Sequence, residues 1–161
     1  MYAKGKLFLK FIKYWVVASS GKGHGIHSPF VFDFVMHVLC EYKNEAILSK
    51  TDFPSFGKKH LLKYQKLIAR MHSYYVEHEI RMISLDIVNE QQFSNSGKIF
   101  QNTSEKKIHI VTGIRSSENA EKSWLEIKKN EKVTCSIDLF FVGILFFKKD
   151  FKEKLDFLIR F

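Results

Sequence analysis

The sequence is poor in cysteine and proline, with two residues of each in a chain of 161. Cys40 and Cys135 lie far apart and form no Cys-x-x-Cys pair, so neither a disulfide framework nor a cysteine zinc site is indicated. This usage is typical of reduced thiols in a cytoplasmic protein. We therefore expect a cytoplasmic location.

Long apolar runs are also missing. Lys10 and Lys13 interrupt the apolar stretch near the N-terminus, which is consequently shorter than the roughly 18 residues of a membrane span. The same interruptions remove the clean apolar core of a signal peptide. The sequence therefore predicts no transmembrane segment.

Familiar catalytic motifs are missing as well. The chain has no Gly-x-Ser-x-Gly elbow, no His-Glu-x-x-His, no Cys/His zinc spacing and no phosphate-binding loop. Glu77, His78 and Glu79 are adjacent, but neighbours alternate faces in a strand and do not share one in a helix. They are expected to form a surface cluster, and no catalytic residue or metal site is identified.

Apolar and basic residues are abundant. Hydrophobic residues make up 45% of the chain and include 16 phenylalanines, which is enough for a single domain with a sizeable core over residues 1–161. A formal charge of +9 is compatible with an acidic partner, namely nucleic acid, an anionic membrane surface or an acidic cosubstrate. A solvated surface is the commoner cause of such an excess.

The most informative stretch runs from Gly21 to Val35 and combines three glycines, two histidines and a helix start. The glycines can take positive φ, Ser28 can cap a helix, and Pro29 can occupy its first turn. Exposed N–H groups there would also suit an anion, and His24 and His27 could ligate a metal, although no further ligands are evident. We favour a structural hinge or cap over a ligand site, for which the candidate residues are Gly23, His24, Gly25, His27 and Ser28.

Helical periodicity predicts an N-terminal helical region over residues 1–75. The first helix is basic and amphipathic, and its apolar stripe is expected to pack against the domain rather than lie on an anionic membrane. A second helix starts at Ser28 and fades near Tyr42, a connection follows to Gly57, and a third helix runs from about Lys58 to Tyr75. The stripe of the first helix is Leu7, Phe8, Phe11, Ile12, Trp15 and Val16.

The third helix carries a basic row that could follow the phosphates of a nucleic acid. No aromatic residues interleave this row, as a single-strand binder would require. An ordinary solvated face is therefore the favoured interpretation. The row consists of Lys59, Lys63, Lys66 and Arg70.

Residues 80–161 are predicted to be rich in strands. The run over 142–147 is nearly continuous in apolar character, which predicts a central place in a sheet. The predicted elements are, in order, a buried strand over 80–87, a strand over 108–112, a helix capped by Ser116 or Ser117 that ends near Lys129, and strands over 133–138, 142–147 and 155–161, the last at an edge.

Two stretches carry a family resemblance, Gly23–Val31 and Val133–Phe147. They resemble the N-terminal signature and the closing hairpin of a Bacteroidetes family of class I S-adenosylmethionine-dependent methyltransferases. The stretch Tyr64–Met71 is similar to the helix before that family's first core strand. The resemblance implies an α/β, Rossmann-like fold with an N-terminal helical cap and a C-terminal antiparallel hairpin.

The middle of the chain departs from that family. The glycine-rich turn that would hold the cofactor is absent after Leu85, and Thr112 and Gly113 stand where family members tend to carry acidic residues. The polar segment over 94–107 is too short to supply a missing strand–helix unit. We therefore expect an incomplete Rossmann-like methyltransferase fold without cofactor-binding residues, in which S-adenosylmethionine is a cofactor only if the family activity survives.

The preferred functional hypothesis is a degenerate, inactive methyltransferase-like protein that keeps the helical cap and the closing hairpin. One alternative is an active methyltransferase with an atypical or inter-subunit site, and another is a basic binding module for nucleic acid or a membrane surface. Loss of strand–helix units would leave unpaired strand edges, so self-association through exposed sheet edges is expected.

Overall fold

A computed structural model describes residues 4–23, 25–40, 58–85, 99–100 and 103–161. Over these residues the protein is a mixed α/β structure, as predicted, with helices on both faces of a mixed sheet. The elements are α1 (Lys4–Val17), α2 (Pro29–Phe34), a π-helical segment (Val35–Leu39), α3 (Lys58–Tyr74), β1 (Glu79–Ser84), β2 (Lys107–Thr112), α4 (Glu118–Lys129), β3 (Cys135–Asp138), β4 (Val142–Phe146) and β5 (Leu155–Leu158).

The strands form one sheet in the order β1-β2-β4-β3-β5. β1 is parallel to β2 and β3 is parallel to β5, whereas β4 is antiparallel to both of its neighbours, β2 and β3. β4 is therefore central and runs against the other four strands. Both the central position of this run and the antiparallel pairing of the closing hairpin are confirmed.

Apolar side chains on both faces of the sheet pack against helices, so the helices form a layer on each side. On one face, α2, the π-helical segment and α3 place Phe34, Leu67 and Met71 against the strands. On the other face, α4 buries Ala120, Trp124 and Ile127, as predicted. The predicted end of the second helix near Tyr42 and the connection over 43–57 lie outside the described residues.

α1 forms as predicted, but only part of its apolar stripe packs against the domain, namely Leu7, which is half-buried, and Phe11, whose ring centre lies 5.0 Å from that of Phe140. Tyr14 and Ala18 are the buried residues of this segment. The side chains of Phe8, Trp15 and Val16 are 63%, 55% and 70% exposed. The expectation of a packed stripe is therefore met at Leu7 and Phe11 but wrong for the rest of the stripe. No helix in the described ranges has the length and apolar character needed to cross a membrane.

Polar contacts decide which side of α1 faces the domain. The hydroxyl of Tyr14 donates a hydrogen bond to the carbonyl of Ile159, and Lys10 Nζ lies 2.6 Å from the carboxylate of Glu121 on α4. Just after the helix, Ser19 forms a parallel β-bridge with Ile159. These contacts hold the Tyr14 side inward, so the part of the stripe that includes Phe8, Ile12 and Val16 turns toward solvent.

β1 departs from the prediction of a buried strand over 80–87. It ends at Ser84 and is the outermost strand among the described residues. Its side chains are exposed or half-buried and none is fully buried, and Met82 is 39% exposed. The prediction of burial was wrong because β1 pairs on one side only within the described part of the chain.

Candidate functional site

The glycine-rich loop before α2 is shaped by close backbone packing. A side-chain carbon at Gly21 would collide with the carbonyl oxygen of Arg160. Gly23 has a φ of 85°, and a side-chain carbon there would approach the ring of Phe32 to 2.7 Å. Both positions therefore require glycine for structural reasons.

Ser28 caps α2 as predicted. Its hydroxyl accepts a hydrogen bond from the N–H of Val31 at 3.4 Å, and Pro29 begins the helix. The other loop candidates, Gly25 and His27, are exposed, while His24 lies outside the described residues. A ligand role for Gly23, His24, Gly25, His27 and Ser28 stays a prediction. Within the described ranges, no three His, Cys, Asp or Glu residues are grouped to hold a metal ion.

A cavity of about 710 Å³ opens between α1, the glycine-rich loop, the π-helical segment, α3 and the residues after β5. Its lining is mainly aromatic and basic. No aspartate or glutamate is among the described residues that line it. These residues are Phe11, Tyr14, Trp15, Gly21, Lys22, Met36, Leu39, Cys40, Lys63, Arg160 and Phe161.

Two of the cations in this cavity lie over the faces of aromatic rings. The guanidinium of Arg160 lies 5.1 Å from the ring centre of Trp15, and Lys63 Nζ lies 4.3 Å from that of Phe161. Burial, together with the nearby positive charge of Arg70, lowers the pKa of Lys63. The cavity therefore concentrates positive charge next to aromatic surface, which suits an anion with an apolar part.

A second polar cluster lies at the carboxyl end of β3. Asp138 accepts hydrogen bonds from both terminal nitrogens of Arg115 (2.7 and 2.8 Å), from Trp124 Nε1 (3.1 Å) and from the N–H of Phe140 (2.9 Å). Burial works to lower the pKa of Arg115, but the hydrogen bonds and charge of Asp138 outweigh it and keep that pKa raised. Both carboxylate oxygens are engaged, so Asp138 anchors Arg115, Trp124 and the turn at Phe140.

The same cluster holds the turn between β3 and β4 in an unusual conformation. Phe140 has a φ of 74°, which is costly for an aromatic residue. Its carbonyl accepts a hydrogen bond of 2.6 Å from Arg115, whose guanidinium lies 4.9 Å from the centre of its ring. The ring of Tyr14 packs on it from α1. Arg115 thus fixes both the turn and the surface on which α1 rests.

At the carboxyl end of β2, Thr112 and Gly113 stand in place of acidic residues, whereas Asp86, which follows β1, lies outside the described residues. The hydroxyl of Thr112 donates to the carbonyl of Ile83 at 3.4 Å, and Gly113 turns the chain with a φ of 73°. The absence of the glycine-rich turn after Leu85 is a property of the sequence. Residues 86–98, where that turn would lie, are outside the described residues.

The sequence analysis predicted neither the basic, aromatic cavity nor the cluster of Arg115 and Asp138. Lys63 belongs to the predicted basic row and Arg160 to the predicted last strand, but no local motif joins them. Arg115 and Asp138 are likewise separated by a helix. The signal that could have drawn attention to Asp138 is a lone carboxylate at the end of an apolar strand, where burial without a partner is costly.

The fold is thus a mixed α/β sheet with helices on both faces, and the site is a basic, aromatic cavity beside an outward-facing amphipathic helix. No protein-family model, no curated protein and no solved structure matches the chain.

Proposed function

We propose that this chain is a methyltransferase-like protein that does not transfer methyl groups and that serves as a binding module for an anionic membrane surface. The observation that carries this proposal is the outward-facing apolar side of α1. We also propose a cytoplasmic location, since the two cysteines are unpaired and the cytoplasmic leaflet is the anionic one.

α1 has the features of a helix that lies in a membrane interface. Its exposed apolar side chains include aromatic residues, and the exposed Lys13 borders them. A helix of this kind buries its apolar face at the headgroup boundary while its lysines meet anionic lipids. The exposed residues on this side are Phe8, Leu9, Ile12, Trp15 and Val16.

Nucleic acid is a weaker alternative because the basic row of α3 is partly committed inside the protein. Arg70 donates hydrogen bonds to the carbonyls of Val38 and Leu39, at 2.9 and 3.0 Å. These bonds cap the end of the π-helical segment. An exposed apolar helix face also contributes little to phosphate contacts, which supply most of the affinity for nucleic acids.

The resemblance to methyltransferases is supported by the topology of the closing portion, in which the antiparallel β4 lies beside β3 and the remaining strands run in parallel. The loss of methyl transfer is supported by the missing glycine-rich turn after Leu85 and by the missing acidic pair at Thr112 and Gly113. Calorimetric titration with S-adenosylhomocysteine should show no binding. Saturable binding in the micromolar range would contradict this part of the proposal.

Co-sedimentation with vesicles tests the membrane function. The wild type should bind phosphatidylcholine vesicles that contain phosphatidylglycerol more strongly than vesicles of phosphatidylcholine alone. The double variant Phe8→Ser/Ile12→Ser should lose this binding, because each buried side chain of this size contributes about 1.5–3 kcal/mol. Leu125→Ser is the matched control, since Leu125 is 47% exposed on α4.

Two outcomes would overturn the membrane proposal. One is equal vesicle binding by the wild type and the Phe8→Ser/Ile12→Ser variant. The other is tight binding of duplex DNA at physiological salt without vesicle binding, which would favour the nucleic-acid alternative.

A further inference from the structure

The basic, aromatic cavity is continuous with the outward-facing side of α1. Phe11 and Trp15 line the cavity and belong to that helix. Met36, which is 40% exposed, lines it from the π-helical segment. A ligand with a charged end inside the cavity would therefore find apolar side chains along the path toward the surface of α1.

The cations of the cavity lack carboxylate partners among the described residues. Lys63 and Arg160 rest on ring faces, and Lys22 is exposed at the glycine-rich loop. Nε of Arg160 is buried and has no hydrogen-bond partner within the described part of the protein. This nitrogen is closed off from solvent, so a ligand in the cavity would meet the terminal guanidinium nitrogens of Arg160 instead.

We propose that this cavity binds the phosphate-bearing headgroup of an acidic phospholipid, an inference that rests on and deepens the membrane function proposed above. Phosphate oxygens accept charge-assisted hydrogen bonds from arginine and lysine, and Lys63 and Arg160 supply such donors at the cavity. The volume of about 710 Å³ lies within the range of about 300–1,000 Å³ usual for small-molecule sites. It accommodates a glycerol phosphate group as well as the start of an acyl chain.

The test compares two charge-matched double variants in the vesicle assay. Lys63→Gln/Arg160→Gln removes two charges from the cavity, and Lys149→Gln/Lys152→Gln removes two from exposed positions outside its lining. The cavity variant should bind phosphatidylglycerol vesicles about thirtyfold more weakly than the wild type, since each cation at the membrane contributes roughly a fivefold effect. The control variant should lose less than about threefold.

The conservative variant Lys63→Arg/Arg160→Lys keeps both charges and should retain most of the binding, which separates loss of charge from misfolding. Circular dichroism melting of each variant checks that it is folded. Equal binding by the cavity variant and the charge-matched control would overturn the headgroup site. If the Phe8→Ser/Ile12→Ser variant still lost binding in that case, the membrane function itself would stand.

Soluble glycerol phosphate separates a lipid from a free phosphate compound as the source of the headgroup. It should compete weakly with vesicles for the wild type and not at all for the Lys63→Gln/Arg160→Gln variant. Calorimetric binding of glycerol phosphate that depends on Lys63 and Arg160, without any vesicle binding by the wild type, would overturn the lipid proposal.

Discussion

Replacing Asp138 by asparagine should lower the free energy of unfolding of this protein. The loss should be larger than that from any change in a surface ion pair. The side chain of Asp138 is 4% exposed and that of Arg115 is 12% exposed. Four hydrogen bonds converge on the carboxylate. Breaking a buried pair leaves one charge unpaired and typically costs about 3–5 kcal/mol. Total stabilities are about 5–15 kcal/mol, so this loss is a large fraction of the whole.

Urea denaturation followed by circular dichroism measures the loss. In a thermal melt of a chain of this size, the same loss of about 3–5 kcal/mol corresponds to a fall in Tm of roughly 6–20 °C. Glu126→Gln is the control, because Glu126 and Lys129 form a pair of 2.8 Å whose side chains are 67% and 72% exposed. Such a pair is worth about 0–1 kcal/mol.

A double-mutant cycle identifies the cause of the destabilisation. Arg115→Met should cost about as much as Asp138→Asn, and the double variant should cost clearly less than the sum, because it leaves no unpaired buried charge. Additive losses, or a loss for Asp138→Asn no larger than that for Glu126→Gln, would refute the idea that this ion pair holds the β3–β4 turn.

Three further predictions concern pH, packing and assembly. Burial lowers the pKa of His109 to about 4, so between about pH 6.5 and pH 4 the unfolded chain binds a proton that the folded chain does not. The free energy of unfolding should therefore rise by about 3 kcal/mol as pH increases across this window. Urea titrations at several pH values measure this dependence, and His109→Leu should remove most of the slope of unfolding free energy against pH. An unchanged slope in that variant would contradict the assignment to His109. Gly143→Ala places a methyl group against the ring of Trp124 and should lower the free energy of unfolding by about 1–3 kcal/mol. Gly5→Ala, in open space on α1, should be neutral or stabilising by up to about 1 kcal/mol. Equal thermal stability of the two variants would refute the packing argument. Because β1 is the outermost strand within the described part of the chain, sedimentation equilibrium should give a mass above that of one chain that increases with concentration, and a monomer at every concentration would count against self-association.

Local signals in the sequence predicted the elements that depend on neighbouring residues. Ser28 and Pro29 marked the start of α2, and the pair Ser116 and Ser117 included the residue that caps α4, whose hydroxyl accepts from Ala120 at 3.1 Å. The continuous apolar run at Val142–Phe146 predicted a central strand. In each case the residues that decide the structure lie within one turn or one strand of each other.

The features that sequence reasoning did not predict depend on contacts between distant parts of the chain. Periodicity identified the stripe of α1, but the hydrogen bond from Tyr14 to Ile159 and the Lys10–Glu121 pair decide which side is buried. The cavity brings Lys63 and Arg160 together from opposite halves of the sequence. Neither arrangement leaves a local pattern, because tertiary packing overrides periodicity when polar groups find partners.

The contact between Tyr14 and Ile159 joins residues 145 positions apart, and this has a consequence for synthesis on the ribosome. At about 5–20 residues per second, roughly 7 to 30 s pass between the synthesis of Tyr14 on α1 and that of its partner Ile159. During this time all of its apolar side chains, including the side that later packs on Phe140, are open to chaperones or to lipid. We expect nascent chains stalled before Ile159 to be cleaved by protease within α1 and full-length chains to be protected there; equal cleavage would show that α1 docks without its C-terminal partner.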